Sequence, residues 1–153
     1  MRILFKLIFF FFIFINISKA DLIKPNSNLE PLDVLMIQLN SLKNNNNPYK
    51  DAGIEQTWEF AHPFNKAFTG PLKKFKKMIY SDSYKILISH KNSETKILKE
   101  DPNKFVYKVY VLSKDKKKYY YIWQIEKVEQ EGKFKNCWMT TGVSDPTFVA
   151  DII

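Results

Sequence analysis

Apolar residues recur at helical spacing through the first half of the chain and at alternating spacing through the second. Leu32, Leu35, Met36, Leu39 and Leu42 lie one, three or four positions apart, which gathers them on one side of a helix. Pro31 suits a first helical turn, where its missing N–H costs nothing. Residues 31–43 are therefore predicted as an amphipathic helix, ended by asparagines 44–47 and Pro48. Ile54, Trp58 and Ala61 share a face and predict a second helix over 51–61, stopped by Pro63. Residues 64–70 read as a short, turn-like link. Pro71 opens a third helix through Tyr80, with Leu72, Phe75, Met78 and Ile79 inward and four lysines outward.

After Tyr80 the period changes. Segments 84–89, 95–98, 104–113, 119–128 and 134–143 are rich in β-branched and aromatic residues and are predicted as strands. Polar turns at 92–93, 101–103, 114–118 and 131–132 separate them. In 104–113, Phe105, Tyr107, Val109 and Val111 alternate with Val106, Lys108, Tyr110 and Leu112. In the following strand Tyr119, Tyr121, Trp123 and Ile125 alternate with Tyr120, Ile122, Gln124 and Glu126. One face is apolar and the other half apolar, the kind of second face that a partner covers or that lines a cavity. Helices first and an antiparallel meander after them predict an α+β fold with the helices packed on one face of a bent sheet. Strands and helices do not alternate, which argues against a doubly wound sheet, and no internal repeat is present.

The first twenty residues stand apart from this pattern. Arg2 and Lys6 begin a segment whose residues 7–17 are almost unbroken apolar, and Ser18-Lys19-Ala20 places small residues at the −3 and −1 positions of a cleavage site. This is the three-part pattern of an export signal. The other reading is an uncleaved anchor, but the apolar run falls short of the roughly 20 residues a span needs. The expected division is a signal over 1–20, a polar lead-in over 21–30 and one domain over 31–153. Export would place the processed chain in the periplasm of a Gram-negative source, or outside the cell otherwise, with no stable membrane anchor.

The chain has 153 residues with a formal net charge of +8. Removing Arg2, Lys6 and Lys19 lowers that charge by three and removes the only arginine. Nucleic-acid recognition relies on guanidinium forks for phosphates and guanine edges, so no nucleic-acid partner is expected. The lysine runs 73–77 and 114–118 read as solvated surface. Cys137 is the sole cysteine, which rules out internal disulfides and cysteine-based zinc sites.

Candidate chemistry is sparse. His62 and His90 are the only imidazoles and lie in different elements, whereas catalytic zinc usually needs three protein ligands. No metal and no cofactor is expected. The four glycines make no phosphate-cradling loop, and no GxSxG elbow exists. Cys137 beside Trp138 at a strand position reads as buried and inert. A carboxylate tuned by an apolar cavity would serve proton transfer, but nothing in the sequence selects one.

Gly53 through Tyr80 reads GIEQTWEFAHPFNKAFTGPLKKFKKMIY. Phe60-Ala61-His62-Pro63, Asn65, Thr69-Gly70-Pro71, Phe75 and Met78 resemble the central signature of an uncharacterised family of the nuclear transport factor 2-like superfamily. Val34, Gln38, Leu39 and Leu42 fit its opening helix, and Cys137-Trp138-Met139-Thr140 with Gly142-Val143 its final strand. His62 departs from the serine usual there. The resemblance implies a cone: a strongly curved antiparallel sheet around N-terminal helices, often with an apolar pocket and often dimeric through the outer sheet face. Some members resemble ketosteroid isomerase, and many are binding or assembly modules, so fold alone does not assign activity.

Read without the family, Pro63, Asn65, Thr69, Gly70 and Pro71 form a structural corner between two helices. The expected function is a non-catalytic exported domain holding a small apolar or amphipathic ligand in a pocket lined by Trp58, His62, Tyr80, Trp123 and Trp138. The alternatives are an isomerase or dehydratase with a buried carboxylate, and a structural or assembly module acting through its sheet face; a homodimer is an expected partner state of the ligand-binding domain.

Overall fold

The computed structural model describes residues 21–152. The expected export signal over 1–20 lies outside the described residues. The described residues are α+β, with four α-helices followed by a five-stranded antiparallel sheet that does not close.

Helix α1 runs Pro31–Lys43, with Pro31 in its first turn and the Asp33 carboxylate accepting from the Glu30 backbone N–H at 3.0 Å. Its buried face is Pro31, Val34, Leu35, Gln38, Leu39 and Leu42. That stripe is turned from the expected one: Leu32 is exposed, and Gln38 takes a core position. Helix α2 runs Ala52–Glu59 and crosses α1 at Gly53. A Cβ there would stand 2.0 Å from the Ser41 carbonyl oxygen, so the two backbones meet without room for a methyl group. The lead-in belongs to the fold. The Gln56 amide accepts from Ile23 N at 2.7 Å and donates to Ile23 O at 2.8 Å, and Leu29 packs on the core.

The link at 64–70 is helical rather than turn-like: α3 covers Pro63–Thr69. His62 makes it so. Its Nδ1 accepts the Phe64 N–H at 3.1 Å and caps the helix, and Pro63 fixes the first φ. Gly70, with φ +76°, ends α3, and α4 follows over Leu72–Ile79 with Phe75 and Ile79 buried.

Residues 84–89 are not a strand. Lys85–Leu87 is a single 3-10 turn, stitched to α1 by Ser89 N to Leu42 O at 2.9 Å. A short apolar run such as YKILIS does not distinguish strand from buried turn by composition. Strand β1, Asn92–Asp101, is longer than expected and takes in the predicted turn at 92–93. β2 is Lys104–Leu112, β3 Lys117–Lys127 and β4 Trp138–Val143. β4 begins later than residue 134 because Phe134 and Cys137 close a turn against Val128, with Asn136 in the left-handed region at φ 63°. β5, Thr147–Asp151, was not predicted.

The sheet order is β1-β2-β3-β4, and β5 pairs with the first half of β3 along the edge whose second half holds β4. β2 and β3 are in continuous register, with Tyr107 opposite Trp123 and Val109 opposite Tyr121. Their inward residues Tyr107, Val109, Val111, Tyr121, Trp123 and Ile125 are all buried, and they form one core with Leu35, Leu39, Leu42, Ile54, Phe60 and Phe75. Each fully buried leucine there stabilises the fold by about 1.5–3 kcal/mol relative to exposure. The helices therefore cover the apolar face of the sheet, as the alternation in β2 and β3 indicated.

Candidate functional site

Between α1, the α2–α4 segment and the ends of β3 and β4 lies a cavity of about 150 Å³. Leu42, Phe75, Met78, Ile79, Leu87 and Val143 supply its apolar wall, and Trp123 its floor. Gln38, Thr57, Asn65, Thr69, Tyr84 and Thr140 add polar groups. The half-exposed members of the lining, Asn65, Thr69, Met78, Tyr84, Gly142 and Val143, mark its mouth.

A hydrogen-bond chain runs through the buried end. Trp123 Nε1–H donates to Thr140 Oγ1 at 3.0 Å, and the Thr140 hydroxyl donates to Gln38 Oε1 at 2.6 Å. Gln38 Nε2 then donates to the Thr57 carbonyl at 3.2 Å. The chain joins sheet, α1 and α2 across the core. β4 is tied to the helical corner by backbone as well: His62 N donates to Thr140 O and Thr140 N to Phe60 O, both at 2.8 Å. Asn65 Nδ2 also reaches Thr140 O at 3.3 Å, and Thr69 Oγ1 bonds Asn65 O at 2.9 Å. Among the described residues no buried side-chain N or O lacks a partner. The polar atoms of the wall are thus spent on one another, and what the cavity offers a guest is chiefly apolar surface.

The lining contains no carboxylate and no imidazole. Its one ionisable group is Tyr84. Burial, with the Asp145 charge adding to it, pushes that phenol above its ordinary value, so it stays protonated at neutral pH and donates to Val143 O at 3.0 Å. No group of three or more His, Cys, Asp or Glu stands close enough to hold a metal ion among the described residues.

Of the five residues expected to share a pocket, the fold brings only Trp123 to this one. Trp58 stacks outside it against Phe75, ring centroids 4.9 Å apart, under the Lys66 ammonium at 5.2 Å. His62 caps α3; burial holds its imidazole below the ordinary value, with Glu126 opposing. Trp138 packs edge-on to Phe105 at 5.4 Å. Tyr80 is exposed and donates to Asp51, a bond that pushes its phenol up. Asp51 belongs to a cluster that joins the loop after α1 to α2 and α4. Lys76 Nζ lies 3.0 Å from Glu55 and 3.5 Å from Asp51. Burial works to raise the Asp51 carboxyl, but the Tyr80 bond and the Lys76 charge outweigh it and hold it below the usual carboxylate range.

The corner motif contributes what the aromatic residues do not. Asn65 and Thr69 line the cavity, while Gly70 and Pro71 turn α3 into α4. Gln38 and Thr140, the centre of the polar chain, carry no local motif. Besides their place in the family resemblance, their signal is a polar side chain inside an otherwise apolar helical stripe or strand. Cys137 is buried, and burial pushes its thiol up. Comparison of the chain with protein-family models, with curated proteins and with solved structures gives no match.

Proposed function

We propose that this chain is an exported, non-catalytic domain of the nuclear transport factor 2-like kind, whose cavity takes a small apolar or amphipathic ligand. Helices that precede an antiparallel sheet and pack on its apolar face support the cone reading. The observation that carries the function is the cavity, apolar on most of its wall and edged by Gln38, Thr57 and Asn65. At about 150 Å³ it lies below the roughly 300–1,000 Å³ of sites for drug-sized ligands. It matches the size of engineered cavities that take up benzene. The ligand is therefore benzene-sized, or a larger molecule that inserts one end. Proton abstraction of the ketosteroid isomerase type needs a carboxylate facing the substrate, and the lining offers none.

Mass spectrometry of the protein purified under native conditions tests the reading. The expected result is a co-purified small molecule, lost in Val143→Phe, which fills the mouth. Saturating phenol should raise the melting temperature of the emptied protein by mass action. A chain that carries nothing and does not respond to phenol would overturn the reading.

A further inference from the structure

Residues 61–80 carry five lysines and no aspartate or glutamate. Two features of this stretch serve nothing inside the fold. α3 buries none of its residues, and its Phe64 and Phe68 are 61% and 73% exposed, their rings edge-on with centroids 4.7 Å apart. On α4, Lys76 is taken by Glu55 and Asp51. Lys73, Lys74 and Lys77 are exposed and belong to none of the ion pairs among the described residues. The two features adjoin. The Lys74 stem lies against Gly70, the residue that ends α3, with its Cδ 2.7 Å from where a Cβ would stand.

We propose that α3 and α4 form a docking surface for an anionic phospholipid bilayer. Phe64 and Phe68 enter the boundary between headgroups and acyl chains, and Lys73, Lys74 and Lys77 sit over the headgroup phosphates. An apolar projection beside a cluster of cations is the composition that holds a protein on such a surface. Lysine binds phosphate as a point charge and needs no fixed geometry. An acidic protein partner would answer the lysines but would also need a socket for two rings that project from a short helix. A bilayer accepts both at once. Among the described residues no helix is long and apolar enough to cross a membrane. The docking surface stands whether or not the cavity is filled, yet Asn65 and Thr69 at the cavity mouth lie next to the phenylalanines along α3, so the mouth opens beside it.

Co-sedimentation with vesicles tests the proposal. The chain is expressed with its own first twenty residues and its N-terminus is read by intact mass. Vesicles are phosphatidylcholine alone, or equimolar phosphatidylcholine and phosphatidylglycerol. The expected result is binding to the mixed vesicles, released by salt, and little binding to phosphatidylcholine. Lys73→Gln/Lys74→Gln/Lys77→Gln should weaken partitioning by about a hundredfold, from about fivefold for each cation at an anionic surface. Phe64→Ser/Phe68→Ser should weaken it by at least about tenfold, with an unchanged far-ultraviolet spectrum because both rings are exposed. Equal binding to both kinds of vesicle overturns the proposal. So does binding that neither variant reduces, as would follow if residues 1–20 carried it. So does a phenylalanine variant whose only change is loss of self-association in sedimentation velocity. An empty cavity would leave these results as they are, and failure here would leave the ligand reading standing.

Discussion

Replacing Thr140 by Val keeps the shape of the side chain and removes its hydroxyl, which sits at the middle of the chain from Trp123 to Gln38. The indole N–H loses its acceptor at 3.0 Å and Gln38 Oε1 its donor at 2.6 Å. Both groups stay buried, since Trp123 and Gln38 are each 1% exposed, and each is left without its partner. A buried polar group left unpaired costs about 1–3 kcal/mol. Two such groups, offset in part by the added methyl, give an expected loss of about 2–4 kcal/mol. Against the 5–15 kcal/mol typical of a domain, that is a large share of the stability. Urea unfolding would show it as a lower midpoint with an unchanged m value. Thr140→Ser supplies the contrast. It keeps the hydroxyl and forfeits one methyl, for about 1 kcal/mol. The isosteric valine should therefore be worse than the smaller serine. A valine variant within about 0.5 kcal/mol of wild type, the scale of a neutral surface change, would show that the chain does not hold the cavity wall.

Gly53→Ala should destabilise by about 3 kcal/mol or more, because its methyl meets the Ser41 and Asn45 backbones, which cannot move aside as a side chain would. The helix-propensity gain of about 1 kcal/mol does not offset that, and a wild-type unfolding midpoint would refute the contact. Acid should weaken the fold first through its two imidazoles. Burial holds both His62 and His90 below their ordinary value; Glu126 opposes it at His62, and the Leu87 carbonyl opposes it at His90. The unfolded imidazoles titrate near about 6.5, so below that pH the unfolded chain binds more protons than the folded one. Stability should be level above that pH and fall as pH drops from there through the lower folded values. His62→Asn keeps a capping acceptor for Phe64 N and should flatten part of the slope; a slope that neither His62→Asn nor His90→Asn alters would refute the assignment.

What the sequence revealed depended on how local the determining physics was. α1 was legible to the residue, since Pro31 marks its start and the asparagines its end. β2 and β3 were legible because their alternation is strict and one face is buried along most of its length. β1 was legible only over 95–98 and β5 not at all, because both are exposed along most of their length and lack the apolar period that betrays a half-buried strand. α3 hid for the related reason that it has no buried face, and its capping imidazole is an uncommon cap. Residues 84–89 misled in the opposite sense, since residues suited to a strand were used for a buried turn. The candidate site was the least legible part. Trp123 was singled out for its aromatic character, and Asn65 and Thr69 for their corner. Gln38 and Thr140, 102 positions apart in sequence, meet only because the sheet folds back over α1.

The seam at Gly53 also bears on how a guest would travel. Where α1 and α2 touch backbone to backbone there is no slack, and that side of the container behaves as a bolted joint. α3 is held by a capped entry, a glycine exit and the Asn65 bond to Thr140 O, and none of its residues is fully buried. On the ligand reading proposed above, a guest would enter past α3, where Asn65 and Thr69 edge the mouth, and not past the seam.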